Sequence, residues 1–145
     1  MTSTNRGAFV RRDALLLAPA ALLGLATPAL AEDDERAIVA TGIQACNRAQ
    51  RWVDADVPYS QTSYYNGYRT DCSGYVSFAY GLARPGLSTY TLRRVGDFIK
   101  KPQLKRGDLL LDPTRHVVLF DKWADAEHTS YWGYEESSSQ GAVHR

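Results

Sequence analysis

A cysteine stands at the start of a short helical pattern, and this position constrains the fold around it. Asp71 is a residue type that caps helices, because its carboxylate accepts hydrogen bonds from the N–H groups of the first turn. Cys72, Val76 and Ala79 then share one apolar face, and Gly81 predicts the end of the helix. The helix dipole favours the thiolate form of the cysteine, which is the form that attacks carbonyl carbons. The alternative interpretation is a small buried cysteine, because a catalytic thiol also needs a histidine brought to it by the fold.

A histidine in a suitable position follows later in the chain. Residues 105–108 have the composition of a turn, and the apolar run after them is typical of a short buried strand. A second apolar run begins at His116, so this side chain would lie at the start of a strand. The predicted strands, joined by polar turns, are Asp108–Asp112, His116–Trp123 and Tyr131–Ser137.

Three motifs carry a resemblance to a known family. They are Asp-Cys-Ser-Gly-Tyr-Val at 71–76, Gly-Asp-Leu-Leu at 107–110 and His-Val-Val-Leu-Phe at 116–120. In this order they resemble the NlpC-type cell-wall peptidase family, in particular its secreted actinobacterial members, and the similarity runs from residue 52 to residue 136. These proteins are papain-like cysteine hydrolases that cut peptidoglycan stem peptides. The resemblance implies an α+β fold in which a helix bearing Cys72 packs on an antiparallel β-sheet that carries His116.

A third group is expected to orient the His116 ring and stabilise its charged form. Pairing of the last two predicted strands about the turn at residues 125–128 brings Glu135 and Glu136 opposite the histidine. Because side chains alternate along a strand, only one of them can reach the ring. We predict Glu135, which shares a face with Gly133, where the missing side chain leaves room. Relatives usually have His, Asn or Gln here, so a glutamate is a departure, and an exposed strand end is the alternative for both.

The resemblance also implies substrate-binding residues. In the family a tyrosine after a proline lies beside the active site, which assigns that role to Tyr59. The Asp and Ser that flank the family's cysteine help to hold the free amine of the substrate, and they correspond to Asp71 and Ser73. No metal or cofactor is expected, because three scattered histidines and two cysteines lack the spacing of a zinc site. The expected partner of this monomer is a peptidoglycan stem peptide or another peptide.

The N-terminal residues have the pattern of an export signal. Arg11 and Arg12 precede an apolar run that ends in an Ala-Leu-Ala site, so residues 1–31 are predicted to be a signal peptide cleaved after Ala31. The paired arginines are compatible with the twin-arginine route, and an ordinary secretory signal fits as well. Residues 32–145 would then be a single hydrolase domain, secreted or associated with the cell wall, with no stable membrane insertion.

Two further segments have helical spacing. The first predicts an amphipathic helix with a core-facing stripe made of Val39, Ile43, Cys46, Ala49 and Val53. Packing in the core is the favoured role of Cys46, and a disulfide with Cys72 is the alternative, which would consume the proposed nucleophile. The second segment predicts a short irregular helix within Thr89–Lys101.

The charge pattern argues against a nucleic-acid ligand. The net charge is +1, and no basic stripe is interleaved with aromatic residues. Residues 141–145 look like the opening of a further strand, and the resemblance implies a sheet that continues beyond them, so a shortened product is expected. Two alternatives to a peptidase stay open: an inactive wall-associated binding protein of the same fold, and an acyl transferase working through the same thioester. A reactive thiolate would separate an enzyme from a binding protein.

Overall fold

The computed structural model describes residues 7–12 and 40–145. The described elements are β1 (Ala8–Arg11), α1 (Gly42–Asp54), β2 (Tyr64–Tyr65), β3 (Tyr68–Arg69), α2 (Cys72–Tyr80), α3 (Thr89–Leu92), β4 (Asp97–Ile99), a 3-10 turn (Lys101–Gln103), β5 (Leu109–Asp112), β6 (His116–Trp123), β7 (Tyr131–Ser137) and β8 (Gly141–His144). These strands form a six-stranded antiparallel sheet in the order β4-β1-β5-β6-β7-β8, and β2 pairs with β3. The predicted α+β class is confirmed at this level.

Helix α2 begins and ends at the residues that the sequence predicts. The Asp71 carboxylate accepts a hydrogen bond from the Gly74 N–H at 2.8 Å, which caps the first turn. Gly81 ends the helix in the left-handed conformation with φ of 69°. A side chain at position 74 would not fit, because its Cβ would lie 1.9 Å from the carbonyl oxygen of Arg69. The helix packs against α1 and against strands β6 and β7.

The buried face of α1 differs from the predicted stripe. Ile43 was predicted to face the core, but 58% of it is exposed, and Val39 lies outside the described residues. The ring of Trp52 sets the orientation, because it stacks on Tyr75 and Phe78 of α2 with centroid distances of 5.2 and 4.9 Å. The buried residues of α1 are Ala45, Cys46, Ala49 and Trp52.

The three predicted strands are present as β5, β6 and β7, with β5 beginning one residue later than expected. The irregular helix predicted within Thr89–Lys101 is only partly correct, because α3 occupies one turn and β4 follows it. The reason is a partner far away in the chain: β4 pairs with β1, with Phe98 opposite Val10. Local helical spacing carries no information about such a partner.

Strand β1 lies within the segment that the sequence predicts to be a leader. It pairs with β4 on one side and β5 on the other, and Val10 is fully buried. Arg11 contacts both oxygens of the buried Asp108 carboxylate, at 3.0 and 2.9 Å. The predicted cleavage site after Ala31 lies outside the described residues. Within the described part of the chain, no helix has the length and apolar character needed to cross a bilayer.

Candidate active site

The His116 imidazole lies between a thiol and a carboxylate. His116 begins β6, and its Nε2 atom lies 2.6 Å from Oε2 of Glu135 on the neighbouring strand β7. The Cys72 thiol, at the start of α2, lies beside the same imidazole. The interaction with Cys72, followed by the hydrogen bond with Glu135, raises the pKa of His116 to about 9 against the opposing effect of burial. The raised pKa favours the protonated imidazolium form of His116 near the Cys72 sulfur.

Glu135 is held as an anion from two directions. Its hydrogen bond with His116 is the largest cause of a lowered pKa, and a second hydrogen bond from Arg145 acts in the same direction. The Arg145 Nε atom donates to Oε1 at 2.6 Å, so each carboxylate oxygen has one strong partner. The space beside Gly133 is not left open as predicted, because a Cβ there would lie 2.6 Å from Cγ1 of Val118. A glycine is needed there for close strand packing.

Glu136 occupies the other face of β7 and is fully buried. Neither of its carboxylate oxygens has a hydrogen-bond partner among residues 7–12 and 40–145. Burial, and secondarily the negative charge of Asp71, raise the pKa of Glu136 to about 8. The alternative of an exposed strand end is therefore wrong for Glu136, which is buried. Glu135 is hydrogen-bonded to His116, so this alternative does not describe it either.

Two backbone N–H groups remain available beside the thiol. The Asp71 side chain takes the Gly74 N–H, and the Asp71 carbonyl takes the Tyr75 N–H at 2.9 Å. The N–H groups of Cys72 and Ser73 have no acceptor among the described residues. Free N–H groups in the first turn of a helix are suited to stabilising an oxyanion.

Asp71 and Ser73, the expected amine-binding pair, are both engaged by Arg69. The Arg69 guanidinium donates to Asp71 Oδ2 at 2.6 Å and to the Ser73 hydroxyl at 3.2 Å. It also donates to the carbonyl oxygens of Gly86 and Leu87, which fixes its position. A substrate amine would have to share the Asp71 carboxylate with this cation. The amine-binding role of both residues stays a prediction.

Tyr59 lies on a segment tied to the entry of α2. The next residue, Ser60, donates its backbone N–H to the Thr70 carbonyl oxygen at 2.9 Å, and the Thr70 hydroxyl returns a bond to Ser60 at 3.2 Å. Tyr59 is half-buried, and its hydroxyl accepts a hydrogen bond from Gln61. Its role in substrate binding stays a prediction.

The second cysteine has a different environment. Cys46 is fully buried and free, and Cys72 is free as well, so the alternative of a disulfide between them is wrong. Desolvation raises the pKa of Cys46 to about 11. Its thiol contacts the carbonyl oxygen of Phe120 at 3.7 Å. Core packing is therefore its observed role, as the sequence favoured.

Sequence reasoning did not identify Arg69 and Arg145 as neighbours of the candidate site. For Arg69 a signal existed, since an arginine two residues before an N-cap aspartate can fold back onto it. For Arg145 no local signal exists, because β8 must first pair with β7. Among the described residues no group of three or more His, Cys, Asp or Glu side chains is arranged to hold a metal ion.

The chain was compared with family models, curated proteins and solved structures. None of them matches it.

Proposed function

We propose that the protein is a cysteine hydrolase of papain-like architecture that cleaves peptide or amide bonds in peptidoglycan stem peptides. The observation that supports it most is the position of His116, which lies beside the Cys72 thiol and is hydrogen-bonded to the Glu135 carboxylate. A nucleophile, a base within reach and a third group that orients the base are the requirements of this chemistry. The choice of substrate rests on the motif resemblance.

In the proposed reaction the Cys72 thiolate attacks the scissile carbonyl carbon. The N–H groups of Cys72 and Ser73 stabilise the oxyanion that forms. The His116 imidazolium then donates its proton to the leaving amine, and a thioester remains on the sulfur. His116 next takes a proton from water, which attacks the thioester and releases the new carboxylate and the thiol. Glu135 keeps the ring oriented and offsets its positive charge through both steps.

The predicted setting of this enzyme follows from its N-terminal pattern. An export signal would deliver the hydrolase to the cell wall or to the medium, where its substrate lies. The reaction needs no metal or cofactor, and the active unit is a monomer.

Digestion of peptidoglycan by the purified full chain tests the proposal. The wild-type protein should release stem-peptide fragments detectable by mass spectrometry. Cys72→Ala and His116→Ala should each lower the rate by at least about 10³-fold, because the two groups act as a unit. Cys46→Ala is the matched control and should keep most of the activity, since that thiol lies in the core. An unaffected Cys72→Ala variant would refute the proposal, and a folded but inactive wild type on several wall types would favour a binding protein.

The same assay separates the two glutamates. Glu135→Gln should keep the fold and lower turnover by up to about 10⁴-fold, because an amide cannot stabilise the imidazolium. Glu136→Gln should leave turnover nearly unchanged, since Glu136 makes no hydrogen bond to the site. The reverse ranking would assign the third role to Glu136.

A further inference from the structure

Arg145 is attached to the carboxylate that orients His116. Its Nε atom donates to Glu135 Oε1 at 2.6 Å, on the side of the carboxylate opposite to the histidine. A carboxylate held at one oxygen can rotate about its last side-chain bond, whereas one held at both oxygens has a defined direction. The two contacts together therefore direct Oε2 toward Nε2 of the ring.

The backbone around Arg145 supports this contact independently of the side chain. The Gly133 N–H donates to the Arg145 carbonyl at 2.9 Å, and the Arg145 N–H donates to the Gly133 carbonyl at 3.1 Å. The other end of the guanidinium is hydrogen-bonded to the side-chain oxygen of Gln140. The arginine is thus anchored beside β7, and a change of its side chain leaves these backbone hydrogen bonds in place.

Three groups face the Glu135 carboxylate with charge or a titratable proton. They are His116 on β6, Arg145 after β8, and Tyr131 on β7, whose pKa is raised first by burial and then by the charge of Glu135. A guanidinium group such as that of Arg145 stays protonated at every pH at which proteins function. Its contribution to Glu135 is therefore present across the range in which a cysteine hydrolase works.

We infer that Arg145 is a positioning residue of the active site, which holds Glu135 ionised and aimed at His116. The catalytic role of Arg145 rests on the proposed function, whereas its contact with Glu135 is observed. The contact itself predicts that removal of the guanidinium makes Glu135 easier to protonate. Once Glu135 is neutral the imidazolium loses its anionic partner, and Cys72 loses the positively charged neighbour that favours its reaction with electrophiles.

The test compares Arg145→Gln, Arg145→Lys and the control His144→Gln in the full chain. His144 lies in β8 and contacts Asp121 at 3.0 Å, so its loss perturbs the same strand without touching Glu135. Carbon-13 NMR of the glutamate carboxyl groups, assigned with Glu135→Gln, gives the titration midpoint of Glu135. The pH dependence of Cys72 alkylation by iodoacetamide gives the effect on the thiol.

For Arg145→Gln we expect the Glu135 midpoint and the acidic limb of alkylation to move up by about one pH unit, the size of one charge-assisted hydrogen bond. Arg145→Lys should cause a smaller upward shift, because the lysine keeps the positive charge, and His144→Gln should cause no shift. An unchanged midpoint in Arg145→Gln, or an alkylation rate lowered equally at every pH, would overturn the inference. A wild-type Cys72 without enhanced reactivity would instead refute the proposed function, while the carboxyl titration would still decide the Arg145 contact.

Discussion

At the scale of single residues, the chain places two cysteines in opposite environments. Cys72 lies at the positive end of α2 and beside the His116 imidazole. Cys46 lies in the core against a backbone carbonyl, and burial holds its pKa at about 11. Both are nearly inaccessible to solvent, so burial alone does not distinguish them. The difference is the imidazole partner, which Cys46 lacks among the described residues.

This contrast predicts selective alkylation. Treatment of the folded protein with iodoacetamide between pH 5 and 8, followed by peptide mass spectrometry, should label Cys72 below pH 7 and leave Cys46 unlabelled. The physical reason is that an imidazolium and a helix N-terminus both stabilise a thiolate. His116→Ala should shift Cys72 labelling toward alkaline pH. Equal and slow labelling of both thiols would contradict the proposed ion pair.

At the scale of elements, strand β7 separates two glutamates by the alternation of its side chains. Glu135 faces His116 and Arg145, whereas Glu136 faces the interior between the sheet and α2. The environment of Glu135 therefore stabilises its ionised form, whereas the environment of Glu136 destabilises its ionised form. A shift of the strand by one residue would exchange these environments, so the burial of Glu136 is linked to the position of Glu135.

Glu136 makes stability depend on pH. Its pKa rises from 4.5 in the unfolded chain to about 8 in the folded protein. Between these values only the unfolded state releases the proton, so the contribution of Glu136 to stability is fully present below pH 4.5 and is lost as pH rises toward 8. Glu136→Gln should remove this fall, a relative gain on the order of 3–5 kcal/mol at pH 8.

Urea unfolding of both proteins at several pH values measures this difference. His116 titrates in the same range, because its folded pKa is about 9, but it does so in both proteins and cancels in the comparison. The gain should vanish near pH 4. A difference in unfolding free energy that is independent of pH would show that Glu136 is ionised in the folded state.

At the scale of the whole molecule, the sheet depends on a strand from the far N-terminal end of the chain. Strand β1 lies between β4 and β5, and Arg11 pairs with the carboxylate of Asp108, which is almost completely buried. Asp108 also accepts the Lys105 N–H at 2.7 Å. Removal of residues 1–31 would take away β1, this ion pair and the buried side chain of Val10. The contacts of β1 stabilise the sheet, and the predicted cleavage after Ala31 would remove these contacts.

Substitution of the arginines measures the contribution of β1. Arg11→Gln in the full chain should lower the free energy of unfolding by about 3 kcal/mol, because it leaves the buried Asp108 without its cation. Arg12→Gln is the matched control, since Asp108 accepts no hydrogen bond from Arg12, and it should cost less than about 0.5 kcal/mol. A chain that begins at Glu32 should be less stable than the full chain in the same urea titration. Equal stability of all four proteins would show that β1 contributes nothing to the folded state in solution.

Local sequence determined the elements that carry the chemistry. The Asp71 cap acts over three residues and Gly81 over one turn, so the start and end of α2 follow from short-range hydrogen bonding. The strands follow from apolar runs, and strand alternation predicted that only one of the two glutamates can reach His116. Only the tertiary structure decided the face of α1, the partner of β4, the complete burial of Glu136, the contacts of Arg69 with Gly86 and Leu87, and the contact of Arg145 with Glu135. The physical reason is distance along the chain: each of these features requires groups from separate segments to meet, and no local periodicity encodes which segments do so.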